Sequence, residues 1–425
     1  MADYETYTLR NGLRLIHAPS HGAVTYCGLS VAAGSRDERP AEQGMAHFVE
    51  HTIFKGTVRR KAWHILNRME NVGGELNAYT NKEETVIYST FLTRHLERAM
   101  ELLSDIVFHP TFPQRELDKE KGVIIDEINM YEDSPAELIY DEFEALLFDG
   151  HPLGRGILGT PATLQGFTSA DVLDFVSRYY SPSNMVLFVR GDVDFARVRA
   201  LAVKYFEPVA DHVVTRDAGK LPPYVPFHTV RTRDLHQAHV MLGCRAYDAH
   251  DSRRTALYLL TNILGGPGMN SRLNVELREK RGLVYNVEAN LVSYKDTGTF
   301  TIYFASDAKD CGHCLDIVRR QLQLLRDKRL GTMSLAMAKK QLIGQIGVAS
   351  DNNENCALDM AKSYLHYGKV NSAEEIFARI ESVSVDDVLM VANDRLDEGR
   401  LSLLAYDPGG QVTARLRAVQ ASRPA

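Results

Sequence analysis

The sequence predicts an α+β fold made twice over: two similar domains, each a mainly antiparallel sheet packed with helices. Three internal correspondences predict it. Thr168-Ser-Ala-Asp-Val-Leu173, a helix and the strand-like Asn184-Met-Val-Leu-Phe-Val-Arg-Gly-Asp192 are matched by Ser384-Val-Asp-Asp-Val-Leu389, a helix and Arg400-Leu-Ser-Leu-Leu-Ala-Tyr-Asp407. The helical run Glu120-Lys-Gly-Val-Ile-Ile-Asp-Glu-Ile-Asn129 is matched by Ala338-Lys-Lys-Gln-Leu-Ile-Gly-Gln-Ile-Gly347. Thr85-Val-Ile-Tyr-Ser-Thr90 and Gly298-Thr-Phe-Thr-Ile-Tyr-Phe304 both read as strands that precede a helix. One such match is chance; three in the same order at nearly one spacing mark a duplication.

The boundary between the copies follows from composition. The stretch from Glu207 to Pro226 has no sustained period and carries Pro208, Pro222, Pro223 and Pro226, so it reads as an extended linker. The expected organisation is an N-terminal domain over 1–210, a linker over 211–228 and a C-terminal domain over 229–425. Strands and long helices mix without strict βαβ alternation, which favours α+β over a doubly wound parallel sheet. A chain of 425 residues accommodates two or three domains of ordinary size.

Composition narrows the function classes. The formal net charge is −6, which argues against a general polyanion-binding surface, so no nucleic-acid partner is expected. No apolar run approaches the ~18 residues of a membrane span. The start, Met1-Ala-Asp-Tyr-Glu-Thr-Tyr-Thr-Leu-Arg10, lacks a basic cap followed by an apolar core, and a cytoplasmic location is expected. Five cysteines (Cys27, Cys244, Cys311, Cys314 and Cys356) are odd in number and few, so no disulfide framework is implied. Cys311-Gly-His-Cys314 spells a thiol-redox tetrapeptide. A redox site of that kind would follow a buried strand, whereas Asp307-Ala-Lys-Asp310 precedes this one and the only tryptophan, Trp63, is far away. The segment reads instead as the start of an amphipathic helix.

The sharpest feature is Gly44-Met-Ala-His47-Phe-Val-Glu50-His51-Thr-Ile-Phe-Lys-Gly-Thr57. His47 and His51 are one helical turn apart, so both imidazoles project from one face and can grip one cation. Glu50 borders that face. A catalytic zinc takes three protein ligands and leaves a position for water, whose proton a nearby carboxylate can accept. This H-x-x-E-H order is the inverzincin signature. With 15 His in 425 residues, random placement produces it rarely; the alternative is two exposed helical histidines beside a carboxylate. A third ligand must come from elsewhere. Glu120 and Glu127, seven residues apart on a predicted helix, share one face within about 20°. Glu127 lies beside Val123, Ile124, Ile125 and Ile128, where a carboxylate is expected to be partnered rather than solvated. The second copy has Gln345 at the place of Glu127 and no H-x-x-E-H.

With these residues in view, the sequence resembles the pitrilysin/insulinase family of zinc peptidases, in the short branch similar to the catalytic subunit of the mitochondrial processing peptidase and its bacterial relatives. The resemblance runs over about residues 4–408. It also takes in Gly73-Gly-Glu-Leu-Asn77-Ala78-Tyr79-Thr80, His151-Pro-Leu-Gly-Arg-Gly-Ile-Leu-Gly159, Leu264-Gly-Gly-Pro-Gly-Met-Asn-Ser-Arg-Leu273 and Arg278-Glu-Lys-Arg-Gly-Leu-Val-Tyr285. Pro267 interrupts a turn where relatives often have only glycine and a small residue.

The resemblance implies a role for each residue. His47, His51 and Glu127 bind one zinc per chain, Glu50 is the general base, and Glu120 supports the site from behind the ligands. Asn77, Ala78 and Tyr79 form an edge strand that pairs with an extended peptide substrate. Arg278 and Tyr285 donate hydrogen bonds to substrate oxygens. The implied function is zinc-dependent cleavage of short or unfolded peptides in a chamber formed by two half-shells. Because one chain carries both the zinc set and the arginine–tyrosine pair, a homodimer is expected. A scaffold subunit that keeps the fold without turnover is the alternative; the complete ligand set argues against it.

Overall fold

The computed structural model describes residues 4–216, 219–408 and 410. The chain forms two compact units. The first takes in the described residues up to Met130, His151–Lys220 and Gly347–Ala373; the second takes in Tyr131–Gly150, Leu221–Ile346 and those from Glu374 onward.

The sheet of the first unit is built from β1 (Glu5–Thr8), β2 (Arg14–Ala18), β3 (Val24–Val31), β4 (Glu75–Thr80), β5 (Thr85–Leu92) and β6 (Met185–Arg190), in the order β1-β2-β6-β3-β5-β4. Only the β2–β6 pair is parallel. The second unit has β7 (His228–Arg233), β8 (Ala238–Ala246), β9 (Val284–Ser293), β10 (Gly298–Ser306) and β11 (Ser402–Pro408), in the order β7-β11-β8-β10-β9, and here only β7–β11 is parallel. The second order is the first without its outermost strand. Each sheet therefore repeats one topology, parallel pair included, and the fold is the duplicated, mainly antiparallel α+β architecture expected.

The strands alternate as a sheet buried on both faces requires. In β3 and β5, Cys27, Leu29, Val31, Ile87 and Phe91 face the helical core with Phe48, Val49, Met100, Leu103 and Ile124. Val86 and Tyr88 face the other way, with Ile16, Val186 and Phe188. That second face is covered by the helix Asn353–Tyr367 through Ala357, Met360, Ala361 and Leu365. Polar contacts fasten the helix there. Tyr88 donates to Glu354 at 2.8 Å, and His366 and Lys362 lie 2.7 and 3.1 Å from the buried Glu84.

This helix comes from the far half of the chain, and the loan is mutual. The helix Pro135–Leu147 packs on the second sheet, where Tyr406 donates to Glu142 at 2.8 Å and the rings of Tyr140 and Tyr303 stand 5.6 Å apart. Division of the chain at a 211–228 linker leaves residues 131–150 with the first domain and 347–373 with the second; in the structure each packs with the opposite unit. The described residues of the linker carry no regular secondary structure before β7 begins at His228. Among the described residues no helix is long and apolar enough to cross a membrane.

Candidate metal centre

The H-x-x-E-H residues lie on the helix Met45–Thr52. Its core-facing side is Met45, Phe48, Val49 and Thr52, the i, i+3, i+4, i+7 positions of one stripe. Phe48 meets Phe167 edge to face, with ring centroids 5.4 Å apart. His47, Glu50 and His51 occupy the complementary stripe. The same 3.6-residue period thus anchors one side of the helix and presents the chemistry on the other.

Glu127 comes from the helix Gln114–Glu132. Its Oε2 lies 3.8 Å from His47 Nε2 and 3.5 Å from His51 Nε2. The two imidazole rings are 4.5 Å apart by centroid, and one donor atom from each of the three residues falls within 4.8 Å of the others. A tetrahedral zinc with ligands at about 2.0–2.1 Å places its donors about 3.4 Å apart. The set of two imidazoles and one carboxylate is therefore of the right kind and nearly of the right size for that ion.

The electrostatics fit as well. Burial, and then the neighbouring His51, push the His47 pKa down to about 3, so its ring is neutral with a lone pair to offer. Its Nδ1 is buried and meets no hydrogen-bond partner among the described residues. Burial also pulls His51 down, but the hydrogen bond with Glu120 and the charges of Glu50, Glu120 and Glu127 outweigh it and raise the pKa. Three carboxylates around two histidines form a place for positive charge. Burial raises Glu50 above the usual carboxylate range, against the hydrogen bonds of Thr80 and the attraction of His51. Burial works to raise Glu120 too, yet the bonds from His51 and Lys55 outweigh it and hold that carboxylate ionised.

Glu120 sits behind His51, with Oε1 3.0 Å from Nδ1, and its other oxygen lies 2.7 Å from Lys55 Nζ. Lys55 and Thr80 belong to quoted motifs, but their partnerships with Glu120 and Glu50 were not expected from sequence. Lys55 lies one turn after His51, and that spacing is the signal that could have found it.

Asn77, Ala78 and Tyr79 lie on β4, which among the described residues pairs with β5 alone, ends its sheet and leaves its outer edge open. Thr80, at the end of that strand, donates to the carbonyl of Ala46 in the motif helix at 3.4 Å, so open edge and metal-type cluster are neighbours within one unit. Arg278 and Tyr285 are in the other unit. Arg278 is on the π-helical turn Asn274–Glu279 and Tyr285 on β9, with the guanidinium carbon 5.8 Å from the tyrosine ring centroid. Tyr285 is 84% exposed, so it is no packing residue. Cys311 and Cys314 begin a helix that follows the buried strand β10; both thiols pack in the core, and burial pushes that of Cys314 up to about 11, the opposite of the lowered pKa of a reactive cysteine.

A family model described as insulinase, peptidase family M16, matches residues 15–161, and one described as the M16 inactive domain matches residues 166–342. Over 411 residues, 96% of this chain and 98% of the relative, the sequence is 31% identical to an uncharacterized zinc protease of Bacillus subtilis, YmxG. The chain belongs to the insulinase family, M16. An uncharacterized zinc protease of Streptomyces coelicolor is 34% identical over 98% of this M16 chain and 90% of its own length. Two solved structures share the M16 fold. A protease from Helicobacter pylori has a TM-score of 0.87 at 22% identity, covering 96% of this chain and 100% of its own. A peptidase M16 inactive domain from Pseudomonas fluorescens has a TM-score of 0.88 at 21% identity, covering 96% and 98%. The His47–His51–Glu127 cluster falls wholly in the stretch matched by the insulinase model, and Arg278 and Tyr285 fall in the stretch matched by the inactive-domain model.

Proposed function

We propose that this M16 chain is a zinc-dependent endopeptidase acting on short or unfolded peptides. One observation carries the reading: donor atoms of His47 and His51, on the helix that also presents Glu50, converge within 4.8 Å with a carboxylate oxygen of Glu127 from a second helix. These three residues would hold one zinc per chain. Bound there, zinc supplies a Lewis acid that makes a coordinated water acidic near neutral pH. Glu50 takes the proton of the attacking water and returns it to the departing amine. Glu120 keeps His51 oriented through Nδ1.

The substrate lies as an added strand along the open edge of β4, at Asn77, Ala78 and Tyr79. Main-chain pairing of this kind selects for an extended, unfolded segment before it selects for any side chain. Tyr285 and Arg278 donate hydrogen bonds to substrate oxygens, Tyr285 to the one that gains charge in the attack. Two copies of the chain work together in the cytoplasm, the pair of one serving the metal centre of the other; closed two-fold pairing is the commonest homo-oligomer.

Metal analysis of the purified chain and a quenched-peptide assay test the reading together. Stoichiometric zinc with chelator-sensitive cleavage of an unfolded peptide is expected, while a stable folded protein survives. Zinc without cleavage would make the chain a scaffold of the same fold, and a metal-free chain that still cuts would refute the zinc chemistry.

A further inference from the structure

Glu38 lies in the chain ahead of the motif helix and is only 4% exposed. Its Oε2 accepts the backbone N–H of Gly44 at 3.0 Å and its Oε1 that of Ala46 at 2.9 Å. Amides at the start of a helix have no partner within it, and a helix ordinarily takes its cap from the side chain of the residue just before its first turn. Here that residue is Gly44, at φ 90° and without a side chain. A Cβ at Gly44 would stand 2.6 Å from the Leu158 carbonyl oxygen and 2.8 Å from the Gly159 Cα. No capping residue fits, and a carboxyl group from outside the helix does the capping instead. Burial pushes the Glu38 pKa well above the usual carboxylate range, against the hydrogen bonds from Ala46 and Gly44 and the nearby Arg155 and Lys82.

The cap is tied to its surroundings. The backbone carbonyl of Glu38 accepts from the Arg155 guanidinium, and the carbonyl of Arg155 accepts from Lys82 Nζ at 2.6 Å. Lys82 sits in the turn between β4 and β5. Glu38 therefore registers the start of the motif helix against the hairpin that ends in the open edge. Ala46 is the immediate neighbour of His47, and the helix has only eight residues. His47 and His51 move with this helix, whereas Glu127 arrives on another; their convergence depends on how the short helix is set.

We propose that Glu38 is a positioning residue for the metal centre, fixing the helix that presents His47, Glu50 and His51 and so contributing to metal affinity and turnover while touching neither metal nor substrate. This rests on the zinc-peptidase reading above. A cap with a merely structural role would affect stability alone.

The test uses the full chain with Glu38→Gln, Glu38→Asp and a control, Ser384→Ala, which removes the hydroxyl that accepts from the Asp387 amide at the start of a helix in the other unit. Zinc affinity is measured by competition with a chromophoric chelator, folding by circular dichroism, and kcat and KM on a quenched peptide at saturating zinc. Glu38→Gln should stay folded and lose zinc affinity about 10- to 100-fold, the range typical of residues that orient ligands, with kcat falling more than KM rises. Glu38→Asp, whose shorter arm cannot span both amides, should show a smaller loss of the same kind. Ser384→Ala should lower the melting temperature and leave affinity and kcat alone. Wild-type affinity and kcat in Glu38→Gln would overturn the proposal, whatever its melting temperature; should that variant fail to fold, wild-type values in Glu38→Asp would do so. A wild-type chain that binds no zinc would defeat the peptidase reading itself. Zinc binding and cleavage in the wild type beside an indistinguishable Glu38→Gln would defeat only the role of Glu38.

Discussion

Glu120 lies 3.0 Å from the Nδ1 of His51, and that contact decides which ring nitrogen is left to face Glu127. With Nδ1 engaged, Nε2 is the free one, 3.5 Å from the Glu127 carboxylate. Lys55, 2.7 Å from the other oxygen of Glu120, keeps that carboxylate ionised and still. The chain Lys55–Glu120–His51 is thus an orienting device behind the cluster. Glu120→Gln should lower zinc affinity by about 10- to 100-fold with the fold intact, as measured by chelator competition. An unchanged affinity would reduce Glu120 to a surface ion-pair partner.

Two neighbouring carboxylates should fail in opposite ways. Glu50→Gln should keep its zinc and lose hydrolysis by at least ~100-fold, the lower range for a general base. Glu127→Gln should instead release zinc on dialysis against a mild chelator, because a neutral amide is a poorer ligand than a carboxylate. Near-normal turnover in the first, or normal zinc retention in the second, would exchange or cancel those roles.

The buried Glu84 makes a prediction about acid. Burial alone would raise its pKa, but the hydrogen bond with His366 and the charges of Lys362 and His366 hold it at about 2, against a usual 4.5. A carboxyl whose pKa is depressed on folding stabilises the fold above its unfolded pKa. That contribution, on the order of 3 kcal/mol, should therefore be complete above pH 4.5 and drain away between 4.5 and 2. Glu84→Gln should be destabilised by about that much at pH 7, and the gap from wild type should narrow at pH 3. Urea titrations followed by circular dichroism at both pH values check it; a gap independent of pH would show that the loss lies in packing.

The dimer reading is open to a mixing experiment. One chain carries Glu50→Gln, the other Arg278→Ala with Tyr285→Phe, and each alone should be nearly inactive. A mixed dimer contains one site that joins the intact metal set of the second chain to the intact pair of the first. Activity should recover in proportion to the mixed dimer formed. Confirmed mixed dimers without recovery would mean that the pair acts within its own chain or not at all.

Much of this arrangement was legible in the sequence, for reasons that differ by element. Helical spacing was enough to put His47, Glu50 and His51 on one face, because the period is local. The duplication was readable because both copies keep capped helices and alternating strands at one spacing; Thr168 and Ser384 make the same capping box. The exchange of Pro135–Leu147 and Asn353–Tyr367 was not readable. An amphipathic pattern says that a face will be buried and is silent on which sheet buries it. The bonds of Glu38 were hidden for a related reason: they cross a loop to backbone amides, which leave no mark in side-chain spacing. Arg278 and Tyr285 were legible only through resemblance, since an exposed arginine and an exposed tyrosine have no pattern of their own.

The exchanged helix also sets an order of events during synthesis. All strands of the first sheet have been synthesised once Arg190 has been added, yet the helix that covers Ile16, Val86, Val186 and Phe188 is not complete until Tyr367. At ~5–20 residues per second, one greasy side of a finished sheet waits roughly 10–35 s for its cover. A nascent chain halted near Lys220 should bind a hydrophobic dye that the complete protein excludes, and should be a client for whatever chaperone meets it first. A dye signal no higher than that of the full chain would mean that this side closes on something else in the meantime.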